Sequence, residues 1–175
     1  ANVTASVISS MIVSYAQHNA PIGQAAQSVL NTFGGRGSQT DASFAVADIH
    51  PDGTVAVAEY ETPPFLLFRQ GTPDEEEDIP GEQLTITAGN GRKHTIRLSR
   101  FNARPEDRIL FFTKGVIRSG TGTQRLPDGW TRAGLAATVA GILKQTPDIS
   151  ARELSTAVIN RAEANDLFVS TSDLR

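Results

Sequence analysis

The chain has no cysteine among its 175 residues. That excludes disulfides and thiolate metal sites and suits a reducing compartment such as the cytosol. It has no apolar run near the ~18–20 residues that cross a bilayer, which sets aside a membrane-spanning role. It also lacks a strong charge of either sign. Sixteen Lys and Arg stand against 19 Asp and Glu, a net charge of −3. That imbalance is too small for a nucleic-acid or anionic-membrane surface. The first residues carry no signal-peptide pattern. No Gly-x-Ser-x-Gly elbow occurs. The glycines of "SGTGT" (119–123) lack the Gly-Lys-Ser/Thr that completes a phosphate loop. His18, His50 and His94 fall at a helix end, in a turn and in a hairpin, with no pair at ligand spacing.

What remains is an ordinary globular composition, 39% hydrophobic and 20% charged, at a length that allows one domain with a substantial core. Val3, Val7, Ile8, Met11, Ile12 and Tyr15 recur at spacings of three and four, predicting a helix over about 2–17. After "HNAP", Pro21 opens a second helix with Ile22, Ala25, Ala26, Val29, Leu30 and Phe33 on one face. The period then changes to two. Phe44, Val46 and Asp48, the turn "HPDG" (50–53), then Val55, Val57 and Glu59 predict a β-hairpin over 42–60. "PPFLLFRQG" (63–71) predicts a short strand, "PDEEED" (73–78) a solvated acidic loop, and 84–98 a second hairpin with Gly89-Asn90-Gly91 at its tip. "ILFFT" (109–113) is the most apolar strand. Leu135, Val139, Ile142 and Leu143 mark a third helix. Ser150 and Glu153 form a capping box for a fourth, whose inner face carries Leu154, Val158 and Ile159. Trp130 is the sole tryptophan and reads as core. Lys114, Arg118, Arg125 and Arg132 make a modest basic stretch suited to an anion or to solvent. The order of helix pair, antiparallel strands and helix pair predicts one α+β domain.

Several stretches, taken in order, resemble one family. "ANVTASVISSMIVSY" is similar to the helix after the first metal-binding Asp-Gly in SpoIIE-type phosphatases of the protein phosphatase 2C superfamily. "TDASFAVADIHPDGTVAVAEYETPPFLLFRQG" (40–71) resembles that family's hairpin and the strand after it. "RPEDRILFFTKGVIRSGTGTQRLPDGW" (104–130) resembles its Pro-Gly-Asp-x-Leu-hydrophobic-Phe-Ser-Asp-Gly-Val element, and "PDISARELSTAVINRAEAND" (147–166) its C-terminal helix. The resemblance implies an αββα sandwich, two antiparallel sheets flanked by helix pairs. It also implies that the first strands and the first Asp-Gly precede Ala1. The start at Ala rather than Met agrees with a fragment or a processed chain. A sandwich without those strands exposes an edge, so dimerisation or strand exchange is expected.

The resemblance further implies a serine phosphatase of bacterial signalling, acting in the cytoplasm on a phosphoprotein partner with two Mn²⁺ or Mg²⁺ held by carboxylates. Its second Asp-Gly falls on Lys114-Gly115, where an ammonium replaces a carboxylate. A unit charge ~4 Å from another contributes about 4 kcal/mol at an effective dielectric of 20, so a divalent ion there meets roughly 8 kcal/mol of repulsion. Asp173 is the candidate third ligand, although the family's Asp-Asp-x-Ser/Thr reads Ser170-Thr171-Ser172-Asp173 here. Three readings follow: an active phosphatase, a degenerate domain that holds phosphate through Lys114, Gly115, the Val116 amide and Arg118, or an oligomerisation domain.

Overall fold

The structure, a computed structural model, describes residues 21–33, 43–88 and 91–172. The predicted helix over 2–17, His18, the loop 34–41, two residues of the second hairpin tip and Asp173 lie outside the described residues. The chain divides into two compact units. One takes in the described residues up to Thr62 with Ile79–Ala103; the other takes in Pro63–Asp78 and the chain from Arg104 onward.

In the first unit, helix α1 (Ile22–Phe33) follows Pro21, whose carbonyl accepts bonds from the amides of Gln24 and Ala25. Ile22, Ala25, Ala26, Val29 and Leu30 are buried, as the 3.6-residue period requires. Ile22, Ala26, Val29 and Leu30 pack with Phe44, Ala58, Ile86 and Ile96 of a four-stranded antiparallel sheet. Its strands are β1 (Phe44–Ile49), β2 (Thr54–Tyr60), β5 (Gly81–Thr87) and β6 (Lys93–Asn102), in the order β1-β2-β6-β5.

The "HPDG" turn joins β1 to β2 as expected. The His50 amide donates to the Thr54 carbonyl, and Asp52 accepts from the Thr54 amide. Gly53 sits at φ 90°, and a Cβ there would lie 2.9 Å from the Ala103 carbonyl. Glu59 and Arg97 stand opposite each other on β2 and β6, and Arg97 Nη1 donates to Glu59 Oε2 at 2.9 Å. Arg97 Nη2 reaches the Ile79 carbonyl at 2.6 Å, so the buried carboxylate has a well-satisfied partner.

In the second unit, β3 (Leu66–Arg69) lies between β4 (Thr72–Glu76) and β7 (Arg108–Leu110), all antiparallel. Leu66 and Phe68 join Trp130, Leu135, Val139, Leu143, Leu154 and Val158 in one core. The helices are α2 (Lys114–Arg118), α3 (Thr131–Gln145) and α4 (Ala151–Ser172).

Three sequence expectations are corrected in this unit. The acidic run 73–78 is not a free loop. Most of it is the edge strand β4, held to β3 across a bulge, with Glu76 and Glu77 paired to Arg132 and Arg69. The strand at 109–113 stops at Leu110, and Lys114 begins a short helix instead of a loop. Ile159, expected on the inner face of α4, is 50% exposed, because that face follows Leu154, Val158 and Ala162 at intervals of four.

The predicted capping box is present. The Ser150 amide and hydroxyl donate to Glu153 Oε2, at 3.0 and 2.6 Å, and the Glu153 amide donates back to Ser150 Oγ at 3.2 Å. Removing the hydroxyl in Ser150→Ala is expected to cost about 1 kcal/mol in denaturant unfolding. The Ser150 hydroxyl, then its amide, hold the Glu153 carboxyl below the usual carboxylate range. A depressed pKa contributes stability above the unfolded value, and that contribution is lost as pH falls through the folded one. Melting curves of the parent and Glu153→Gln should therefore differ at pH 7 and converge in acid; a constant gap would contradict the cap.

Candidate functional site

Lys114, Gly115 and Arg118 are all exposed on α2. The lysine and arginine, four residues apart, share one face of the short helix. Gly115 has no positive φ, and a Cβ there would meet nothing closer than Thr113 Oγ1 at 3.5 Å, so glycine is not required by the backbone. The Val116 amide, expected to add to a phosphate cradle, donates to the Thr113 carbonyl at 3.1 Å and is committed there. The five residues of α2 thus carry two side-chain cations, and the Val116 amide is not available to add to them.

The segment that follows is tightly folded on itself. Gly120, Gly122 and Gly129 have positive φ, and Thr131 has φ 65°, an uncommon backbone for a β-branched residue. The Trp130 amide donates to the Ser119 carbonyl, and the Thr123 hydroxyl bonds the Gly120 carbonyl and accepts from the Leu126 amide. Helix α4 pins the start of this loop. Asp166 Oδ1 accepts from the Gly120 amide at 2.7 Å, and the buried Asn165 side chain donates to Ser119 Oγ at 3.2 Å. Sequence reading passed over this Asn-Asp pair. Its only signal is two adjacent polar residues after the alternating stretch Arg161-Ala162-Glu163-Ala164.

Arg132, counted in the sequence as part of a basic stretch, is a structural residue. It donates to the Pro64 and Phe65 carbonyls and to both oxygens of Glu76. Trp130 is 6% exposed and belongs to the core, as expected. Arg125 and Arg161 border a separate cavity of about 500 Å³ between this loop and helices α3 and α4.

A centre for two divalent cations needs several converging carboxylates. Among the described residues no group of three or more His, Asp or Glu is placed to hold a metal ion. The described residues therefore do not bring together the carboxylates that a paired-metal centre needs.

Antiparallel sheets with helices against them put the chain in the α+β class, consistent with a protein phosphatase 2C-type fold. A family model described as Stage II sporulation protein E (SpoIIE) matches residues 1–168, and the chain belongs to that family. No curated protein and no solved structure matches it. The described residues contain no helix long and apolar enough to cross a membrane.

Proposed function

We propose that this chain is a SpoIIE-type phosphatase domain of bacterial cytoplasmic signalling whose hydrolytic centre is impaired, so that it binds a phosphoprotein partner without turning it over. The observation that carries this reading is Lys114, an exposed ammonium on α2 with Arg118 on the same face. It repels Mn²⁺ or Mg²⁺ where the family's chemistry needs attraction, yet it suits a phosphate as a point charge. Asp173, the candidate third ligand, lies outside the described residues and adds nothing to this argument.

Self-association belongs to the same reading. Among the described residues β7 pairs only with β3, and the neighbouring Phe111 is 43% exposed. An unpaired edge beside an exposed aromatic ring suits a second copy of the chain.

A phosphoserine peptide incubated with the protein and Mn²⁺ tests the proposal. It should be retained on the protein, released by Lys114→Ala, and stay phosphorylated. Phosphate release well above a protein-free control would overturn it, as would retention indifferent to Lys114→Ala. Light scattering over a dilution series should show a dimer that dissociates, and a monomer at every concentration would remove the self-association part.

A further inference from the structure

The inner face of α4 is apolar until Asn165. Leu154, Val158 and Ala162 face the core at intervals of four, and Asn165 stands three residues further along the same face. The helical period calls for another apolar side chain there, yet an amide is buried, with 7% of the residue exposed. A buried amide costs stability unless it is hydrogen-bonded, and its bonds are directional where apolar contacts are not. Asn165 Nδ2 donates to Ser119 Oγ at 3.2 Å, and Ser119 is itself only 2% exposed.

The neighbouring Asp166 Oδ1 accepts from the Gly120 amide at 2.7 Å. The loop backbone also comes close to α4 at this point. Gly120 has φ 74°, and a Cβ on it would lie 3.1 Å from Asn165 Cβ and 3.2 Å from the Asn165 carbonyl oxygen. Two consecutive residues of α4 therefore hold two consecutive residues of the loop.

What they hold is the end of α2. Ser119 is the C-cap of that helix, and its amide donates to the Val116 carbonyl. Helix α2 has little of its own to fix it. It has five residues, no side-chain hydrogen bond at its N-cap Thr113, and no fully buried residue. Val116 and Ile117 are half-buried against the core. So short a helix is marginal in isolation, and its placement follows from what holds its ends.

We propose that Asn165 and Asp166 are positioning residues for the cationic face of α2. By holding Ser119 and Gly120 they fix the turn that carries Lys114 and Arg118, and so set whether both cations meet one phosphate. This role rests on the phosphate-binding reading of Lys114, whereas the hold itself is measurable without a ligand. The sign of the effect separates positioning from charge. Asp166 is an anion whose partner Gly120 lies two residues beyond Arg118, so on electrostatics alone its removal strengthens phosphate binding. Positioning predicts the opposite.

The full chain and its variants are titrated with a fluorescently labelled phosphoserine peptide at fixed ionic strength. Amide exchange over residues 112–120 is followed by mass spectrometry without peptide. Asp166→Ala should speed that exchange and weaken the peptide by about tenfold, the scale of a lost hydrogen bond to a charged group. Asp166→Asn keeps an oxygen for the Gly120 amide and should match the parent in exchange and bind at least as tightly. Ser119→Ala, which removes the acceptor of Asn165, should weaken the peptide too. Ser150→Ala loosens the opposite end of the same helix and should change neither reading.

Tighter peptide binding by Asp166→Ala would overturn the inference. So would faster exchange with parent-like affinity, or an equal loss of affinity in Ser150→Ala. If the parent itself retains no peptide, the phosphoprotein reading fails and exchange alone decides the positioning. Faster exchange in Asp166→Ala then supports it, and parent-like exchange overturns it.

Discussion

Arg69→Met is expected to destabilise the protein by about 3–5 kcal/mol in denaturant unfolding, the range for breaking a buried ion pair from one side. The Arg69 side chain is 11% exposed and that of Asp107 only 2%. Arg69 Nη1 donates to Asp107 Oδ2 at 2.5 Å, and the same oxygen accepts from the Arg104 amide at 2.8 Å. Asp107 Oδ1 is buried and has no hydrogen-bond partner among the described residues. Removing the guanidinium therefore leaves a carboxylate out of water with one amide to hold it.

Arg69 also donates to Glu77, but that carboxylate is 45% exposed, and its share is small because water screens it. The double variant Arg69→Met with Asp107→Asn removes the orphaned charge and keeps an acceptor for the Arg104 amide. It should recover about 1–3 kcal/mol relative to Arg69→Met, the size of coupling between residues in contact. If the two substitutions simply add, the pair is not the source of the loss.

Gly129→Ala is the second large effect. Gly129 has φ 84°, which costs a side-chain-bearing residue about 1–2 kcal/mol. Its added Cβ would also stand 2.8 Å from the Ile117 carbonyl, 2.7 Å from Thr121 Oγ1 and 3.0 Å from Arg118 Cα. Backbone cannot move aside as a flexible side chain can, so overpacking adds about 1–3 kcal/mol. Loss of at least 2 kcal/mol in unfolding, with a shifted tryptophan emission, is expected because Trp130 is the next residue and its amide closes the loop onto Ser119. By contrast Gly115→Ala, with ordinary φ and an open position, should be nearly silent. A Gly129→Ala protein as stable as the parent would show that the 119–130 loop does not hold the conformation described.

The parts legible in the sequence are those fixed by local chemistry. The apolar period of α1, the "HPDG" turn and the Ser150–Glu153 box each involve residues within a few positions, and each appears where expected. The features that escaped are fixed from far away. Strand β4 is rich in Asp and Glu, which local propensity assigns to a loop. It is held by β3 and by Arg132, 56 residues beyond Glu76. The Arg69–Asp107 pair spans 38 residues, and the contact of Asp166 with Gly120 spans 46.

The candidate site divides the same way. The resemblance drew attention to Lys114 because the motif around it is contiguous. The hold of Asn165 and Asp166 on Ser119 and Gly120 depends on where α4 lies, and no spacing in the sequence reveals it. Conversely, the Val116 amide looked available from sequence, and its bond to Thr113 shows that it is engaged.

The central claim is that an ammonium at position 114, with no cluster of carboxylates around it among the described residues, prevents this chain from holding a paired divalent-metal centre. Isothermal calorimetry of the full chain with Mn²⁺ at neutral pH tests it directly. The account predicts no heat of specific binding in the micromolar range. Two Mn²⁺ bound per chain at micromolar affinity would contradict it.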